Sequence, residues 1–309
     1  MRTIYLYIIA ISGLFSCNNE DGTVSEENNS SELIIRTSSN ALKSSLKAAS
    51  VSDFTEGSKL GLFVTKGNLT EDYSSGIPHN IESTLIGGVW KQNPPVYLYS
   101  HNAGIYAYYP YNAGYTNGAE IPIQSGVTDY MYGTHTRGQS TINKDNPTVN
   151  LTMNHACALV QFNIHKANYS SPGRLERIAI NNAPGKSVVF YSGKLNIQTG
   201  LISDKTETDR TIQINSSPLL IIPNDKSSNE KDYIKLSVIP TTKTLSPGEV
   251  IVTFNIDGRD YIWEVPAGTE WKQGTKNTYD VLLNGTQVRI GDVKIADWTD
   301  GVNGDVILE

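Results

Sequence analysis

The sequence predicts an all-β fold of two tandem β-sandwich domains, and three observations carry that prediction. Segments with alternating apolar residues, bounded by turn residues, recur about every 8–12 positions. No long stretch places apolar residues at i, i+3, i+4 and i+7, as an amphipathic helix requires. Tyrosine (17) outnumbers phenylalanine (6) and tryptophan (4), and 26 glycines and 13 prolines accompany abundant serine and threonine, which suits short strands joined by many turns. About 290 residues follow Cys17, a length that fits two domains better than one.

The first 17 residues read as an export signal. Arg2 supplies a positive n-region, and Ile4 to Phe15 an apolar core too short to span a bilayer. Leu14-Phe15-Ser16-Cys17 has the small-residue-then-cysteine pattern of a bacterial lipoprotein box, which would place acyl chains on Cys17. An ordinary signal peptide with a coincidental cysteine is the alternative. Residues 18–31 hold almost nothing to bury and read as a disordered tether. Leu33-Ile34-Ile35-Arg36-Thr37 reads as a short strand, isolated by the small, polar stretch from Ser38 to Ser52. No later segment approaches transmembrane length.

Strand signals then dominate. They include Leu60 to Val64, Val96 to Tyr99, and Ile105 to Tyr111, which Pro110 ends. From Asn154 to His165 alternation puts Ala156, Ala158, Val160, Phe162 and Ile164 on the core face of one strand. Two hairpins are predicted near the C-terminus. Asp257-Gly258 should pair Phe254 with Tyr261, Val252 with Trp263 and Val250 with Val265. Asn284-Gly285 should pair Leu283 with Thr286, Val281 with Val288 and Tyr279 with Ile290, with Asp280 opposite Arg289. A polar, proline-bearing stretch at Asn143–Pro147 sets the domain boundary near residue 150; Asn168 to Gly173 is an equal candidate.

The net charge of −6 and the absence of any basic run disfavour nucleic acid as a partner. With Cys17 lipidated, Cys157 has no disulfide partner. Asn181 to Ser187 ends in Gly-Lys-Ser, but Ile180 stands where a phosphate loop needs glycine, so it reads as a turn. His155 and Cys157 share a strand face, yet two ligands do not make a zinc site, and His155 reads as structural. Asp297 to Asp305 crowds oxygen side chains around a glycine without the spacing of a calcium loop, and reads as an acidic turn. Tyr106, Tyr108, Tyr109 and Tyr111 read as core packing rather than a sugar platform. No catalytic residue, cofactor or metal site is expected.

In their order along the chain, these segments resemble the fimbrillin family, the subunits of type V pili of Gram-negative anaerobes. The residues that carry the resemblance are Cys17, the Leu33 strand, Phe54-x-x-Gly57-x-x-Leu60-Gly61-Leu62-Phe63 and Tyr106-Ala107-Tyr108-Tyr109-Pro110-Tyr111. His155-x-x-x-Leu159-Val160-x-Phe162-x-Ile164 and the closing Ile295-Ala296-Asp297-Trp298 complete them. The resemblance implies two transthyretin-like sandwiches, here 32–150 and 151–309, behind a lipoprotein signal (1–17) and the tether. It implies an outer-membrane lipoprotein precursor, palmitate on Cys17, and a trypsin-like processing protease. Removing an N-terminal strand, here Leu33, Ile34 and Ile35 onward, would open a groove for a strand from another pilus subunit. Candidate cleavage positions are Arg36, Lys43 and Lys47, and Lys47 stands where the family has arginine. Val306, Ile307 and Leu308 are the candidate donor strand, or else simply complete the last sheet. Function would then be adhesion through a surface fimbrium, with host or bacterial surface ligands as further partners. The alternative is a glycan-binding surface lipoprotein that does not polymerise, using exposed tyrosines, Trp271 or Trp298.

Overall fold

The computed structural model describes residues 29–39, 54–75, 77, 79–206 and 212–298. The signal peptide, Cys17, Lys43, Lys47 and Val306–Leu308 lie outside the described residues. Among the described residues the chain is all-β, with no α-helix.

The N-terminal half contains β1 (Ser31–Glu32), β2 (Ile34–Ser39), β3 (Lys59–Thr65), β4 (Ile81–Ile86), β5 (Val89–Asn93) and β6 (Tyr97–Leu98). It continues with β7 (Gly104–Tyr109), β8 (Ile121–Gln124), β9 (Met131–His135) and β10 (Thr148–His155). One seven-stranded sheet, in the order β2-β10-β9-β7-β3-β4-β5, supplies most of this half. Period-2 alternation aims Ile81, Leu85, Trp90, Val149, Leu151 and Met153 into a single core. Strand β3 is apolar on both faces because both are covered: Leu60, Leu62 and Val64 enter this core, while Phe63 enters a second cluster with Tyr108, Ile121 and Ile123. Gly61 sits opposite Tyr108 in the ladder, and the tyrosine ring occupies the space a Cβ would need.

The C-terminal half contains β11 (Ala158–Ala167), β12 (Arg174–Asn182), β13 (Ser192–Leu195), β14 (Ile202–Thr206) and β15 (Ile212–Ile221). After these come β16 (Ile234–Val238), β17 (Val250–Ile256), β18 (Arg259–Glu264), β19 (Thr275–Asn284) and β20 (Gln287–Asp297). Two four-stranded sheets, β16-β11-β19-β20 and β15-β12-β17-β18, enclose a core where Phe162 meets Phe254 edge-on at 5.3 Å. The halves are joined by β8, which pairs with β13 of a small sheet ordered β14-β13-β8. Ser125 reinforces the junction: its hydroxyl donates to Phe190 O (2.7 Å) and accepts from Ile239 N–H (2.9 Å).

The Asp257-Gly258 hairpin has the predicted register, with Phe254 opposite Tyr261 and Val252 opposite Trp263. Both turn residues have positive φ (48° and 76°), as a two-residue hairpin turn demands. The second hairpin differs by two residues. Leu283 pairs with Val288 and Val281 with Ile290, so the turn is Gly285-Thr286. A bulge between Tyr279 and Val281 then puts Tyr279 opposite Val293, and Asp280 ion-pairs with Lys226 rather than facing Arg289. An even slip preserves the buried face, so hydrophobic alternation alone does not exclude it.

Three further expectations need correction. Asn154 to His165 is not one strand, because the chain leaves the N-terminal sheet at His155 and enters the C-terminal sheet at Ala158. Residue 150 therefore falls inside β10, and 168–173 lies between β11 and β12. The tether expected over 18–31 is too long at its end, because Ser31 already pairs with Leu98.

Candidate functional site

The segment that the sequence singled out, Leu33 to Thr37, is an edge of the N-terminal sheet. Ser31 and Glu32 pair antiparallel with Leu98 and Tyr97, and Leu33 N–H donates to Val96 O (2.8 Å). At Ile34 the chain changes partner: its N–H donates to Pro147 O (2.9 Å), and β2 runs parallel to β10 from Ile34↔Thr148 to Ser39↔Met153. Leu33, Ile35 and Thr37 point inward at 2%, 4% and 6% exposure, while Ile34 (45%) and Arg36 face out. Full burial is worth roughly 1.5–3 kcal/mol for each of the two aliphatic side chains. The floor beneath β2 is apolar and continuous with the main core of this half.

The far edge of the same sheet curls round to β2. Trp90 on β5 donates its buried indole N–H to Thr37 Oγ1 (3.1 Å), closing the seam by a side-chain bond rather than a ladder. Phe54 packs edge-on against Trp90 (5.3 Å) and Tyr109 (5.5 Å), where the chain re-enters the described structure after residue 53. The Trp90–Thr37 contact escaped the sequence reading. The alternation Val89-Trp90-Lys91-Gln92 marks Trp90 as inward, but nothing local marks Thr37 as its partner 53 residues away. Arg36 lies within the β2 ladder opposite Asn150. Ile34 belongs to the strand but not to its buried set.

The end of β20 is fixed at the junction of the halves. Trp298 is 4% exposed and its indole lies parallel to the His155 ring, 3.7 Å away at 4°. His155 Nδ1 meets Asp129 Oδ1 at 2.9 Å, so this histidine is tied into the fold at the end of β10.

Apart from Tyr106, which also borders a surface cleft, the remaining candidates are structural. Burial pushes the Cys157 thiol up to about 12, with a hydrogen bond to Ser237 as the next influence, so the thiolate a metal needs is disfavoured. In the loop after β12, Asn182 Oδ1 accepts from Val188 and Val189 N–H (both 2.9 Å), which closes Asn181–Ser187 as a turn. Tyr108 is buried and pushed up to about 12 by that burial; its hydroxyl donates to Asn80 Oδ1 (2.7 Å). Tyr106 and Tyr111 pack against the inter-half cluster. Trp271 is fully buried, with its indole N–H donating to the Tyr279 hydroxyl (2.9 Å), so neither it nor Trp298 offers a face to a sugar.

A model of proteins described as fimbrillin-like matches residues 47–298. Among solved structures, a candidate cell adhesion protein from Bacteroides uniformis superposes with a TM-score of 0.61 at 16% identity, covering 87% of this chain and 99% of that one. A second from Bacteroides ovatus gives 0.55 at 14% identity, over 87% and 98%. One from Bacteroides fragilis gives 0.50 at 10% identity, over 87% and 99%. At these identities the likeness is one of fold. No curated protein sequence matches the chain.

Proposed function

The chain belongs to the fimbrillin-like family, and on that premise we propose that it is a cell-surface pilus subunit assembled by replacing β2 with a strand from a neighbour. One observation carries the reading. Leu33 and the edge strand that follows it, with Ile35 and Thr37, fill an apolar core, and a stretch containing Lys43 and Lys47 comes behind them in sequence. Cutting after either lysine would release the whole of β2, and the lipid on Cys17 with it. Cutting after Arg36 would free Leu33 and Ile35 but leave Thr37 to Ser39 in the ladder.

The opened groove would present an unpaired β10 edge above exposed core, a combination that recruits an extended strand. Main-chain bonds to β10 would supply attraction, and alternate apolar side chains would take the places of Leu33 and Ile35. Val306 and Leu308 have that spacing. In this scheme the lipid delivers the precursor to the outer membrane and a protease releases it for polymerisation.

N-terminal sequencing of surface-extracted fibres tests the scheme. A start at Thr37, Ser44 or Ala48 is expected; fibres made only of chains beginning at acylated Cys17 would overturn it. Deletion of Val306–Glu309 should leave a folded monomer that does not polymerise, and normal fibres would remove the donor role.

A further inference from the structure

We propose that a cleft between Lys66 and Gln198 binds an acidic saccharide, that is, a sugar bearing a carboxylate. The cleft holds ≈ 440 Å³, within the range of about 300–1,000 Å³ usual for small-molecule sites. Its walls come from separate parts of the fold: Lys66 after β3, Tyr106 on β7, Thr134 and His135 on β9, and Gln198 between β13 and β14. Lys66 also borders a second depression of ≈ 620 Å³ with Tyr73, His101 and Asn102, so the concave surface can take more than one sugar ring.

Charge sets the ligand class. Among the described residues Lys66 has no ion-pair partner, and neither depression is lined by a carboxylate. The nearby acids point to other partners, Asp72 to His79 (3.2 Å) and Glu71 to the Asn68 amide (3.0 Å), and neither lines the cleft. Among the described residues Lys66 is thus the one Lys, Arg, Asp or Glu side chain that lines either depression, which suits an anionic group.

The other walls suit a sugar ring. Tyr106 and His135 stack at 6.4 Å and 27°, and Tyr106 is held by its hydroxyl on Gly67 O. His135 Nε2 accepts from Ile105 N–H (3.0 Å), which requires a neutral ring with its proton on Nδ1; burial favours the same state. His135, Thr134 and Gln198 line the cleft with polar groups able to meet sugar hydroxyls, beside the Tyr106 ring for its C–H groups.

The test titrates 3′-sialyllactose, a hyaluronan tetrasaccharide and lactose into the intact chain that keeps β2, followed by saturation-transfer NMR. Strand exchange has no part in this measurement, so its failure and that of the pilus reading are distinguishable. At least one acidic sugar should bind at least about tenfold tighter than lactose and weaken as salt rises toward ~0.5 M. Lys66→Met should weaken the acidic ligand about tenfold without changing the melting temperature. Gln198→Ala should weaken it severalfold. Equal binding of lactose, an unaffected Lys66→Met variant, or no binding of either acidic sugar would overturn the proposal.

Discussion

Two adjacent isoleucines on β2 offer a sharp test of how that strand is held. Ile35 is 4% exposed and Ile34 is 45% exposed, so the same substitution can be made on opposite faces of one strand. Replacing Ile35 by alanine removes three carbons, worth about 0.8 kcal/mol each in transfer. The cavity left against the core brings the expected loss to about 2.5–4 kcal/mol. Ile34→Ala removes the same atoms from a half-exposed site that leaves no closed cavity, and should cost about 1 kcal/mol or less. Urea unfolding measures both. Because β2 is an edge strand, its amides should also open locally, and Ile35→Ala should speed hydrogen exchange over residues 34–39 by about 50-fold or more. Equal losses for the two variants, or unchanged exchange in β2 after Ile35→Ala, would refute the assignment of faces and the edge attachment together.

Other expectations are independent of that pair. Thr37→Val strands the buried Trp90 N–H and should cost about 1–3 kcal/mol, whereas Thr37→Val with Trp90→Phe should cost less than the sum of the single changes. A double-mutant cycle showing no coupling would remove the seam bond. Gly61→Ala places a methyl inside the Tyr108 ring and should destabilise by at least about 1–3 kcal/mol in thermal unfolding.

Asp257 supplies a pH-dependent test. Burial opposes its ionisation, but Arg174 N–H, Gly173 N–H and the Tyr169 hydroxyl outweigh burial and hold the carboxyl below its usual range. Its folded value lies below its unfolded one, so its contribution is full above the unfolded value of about 3.9 and fades as pH falls through the folded one. Asp257→Asn should therefore lose about 1–3 kcal/mol at neutral pH and progressively less in acid. A pH-independent loss would contradict this.

Legibility followed the range of the interactions. The strand at Leu33 to Thr37 was readable as an apolar run, but its inward set was not, because Leu33-Ile34-Ile35 is apolar on both faces and only the structure shows Ile34 outside. The Asp257-Gly258 register was readable because a two-residue turn with both φ values positive admits few geometries. The second hairpin turns two residues from its predicted register because an even slip keeps the same face buried, and local alternation cannot tell the two apart. The Lys66 cleft left no motif, since its walls come from segments far apart in the chain.

The sequence by itself determined the all-β class, the inward residues of the Asp257-Gly258 hairpin, and the isolation of an early apolar strand. Local alternation and turn chemistry suffice for those. Only the tertiary structure decided that β2 lies parallel to β10, more than a hundred residues away, at an edge closed by Thr37 and Trp90. It alone decided that one apparent strand divides between two sheets at Ala156-Cys157, and that Trp298 rests on His155. Pairing partners are chosen by how all the strands together enclose the cores, and no single segment carries that information.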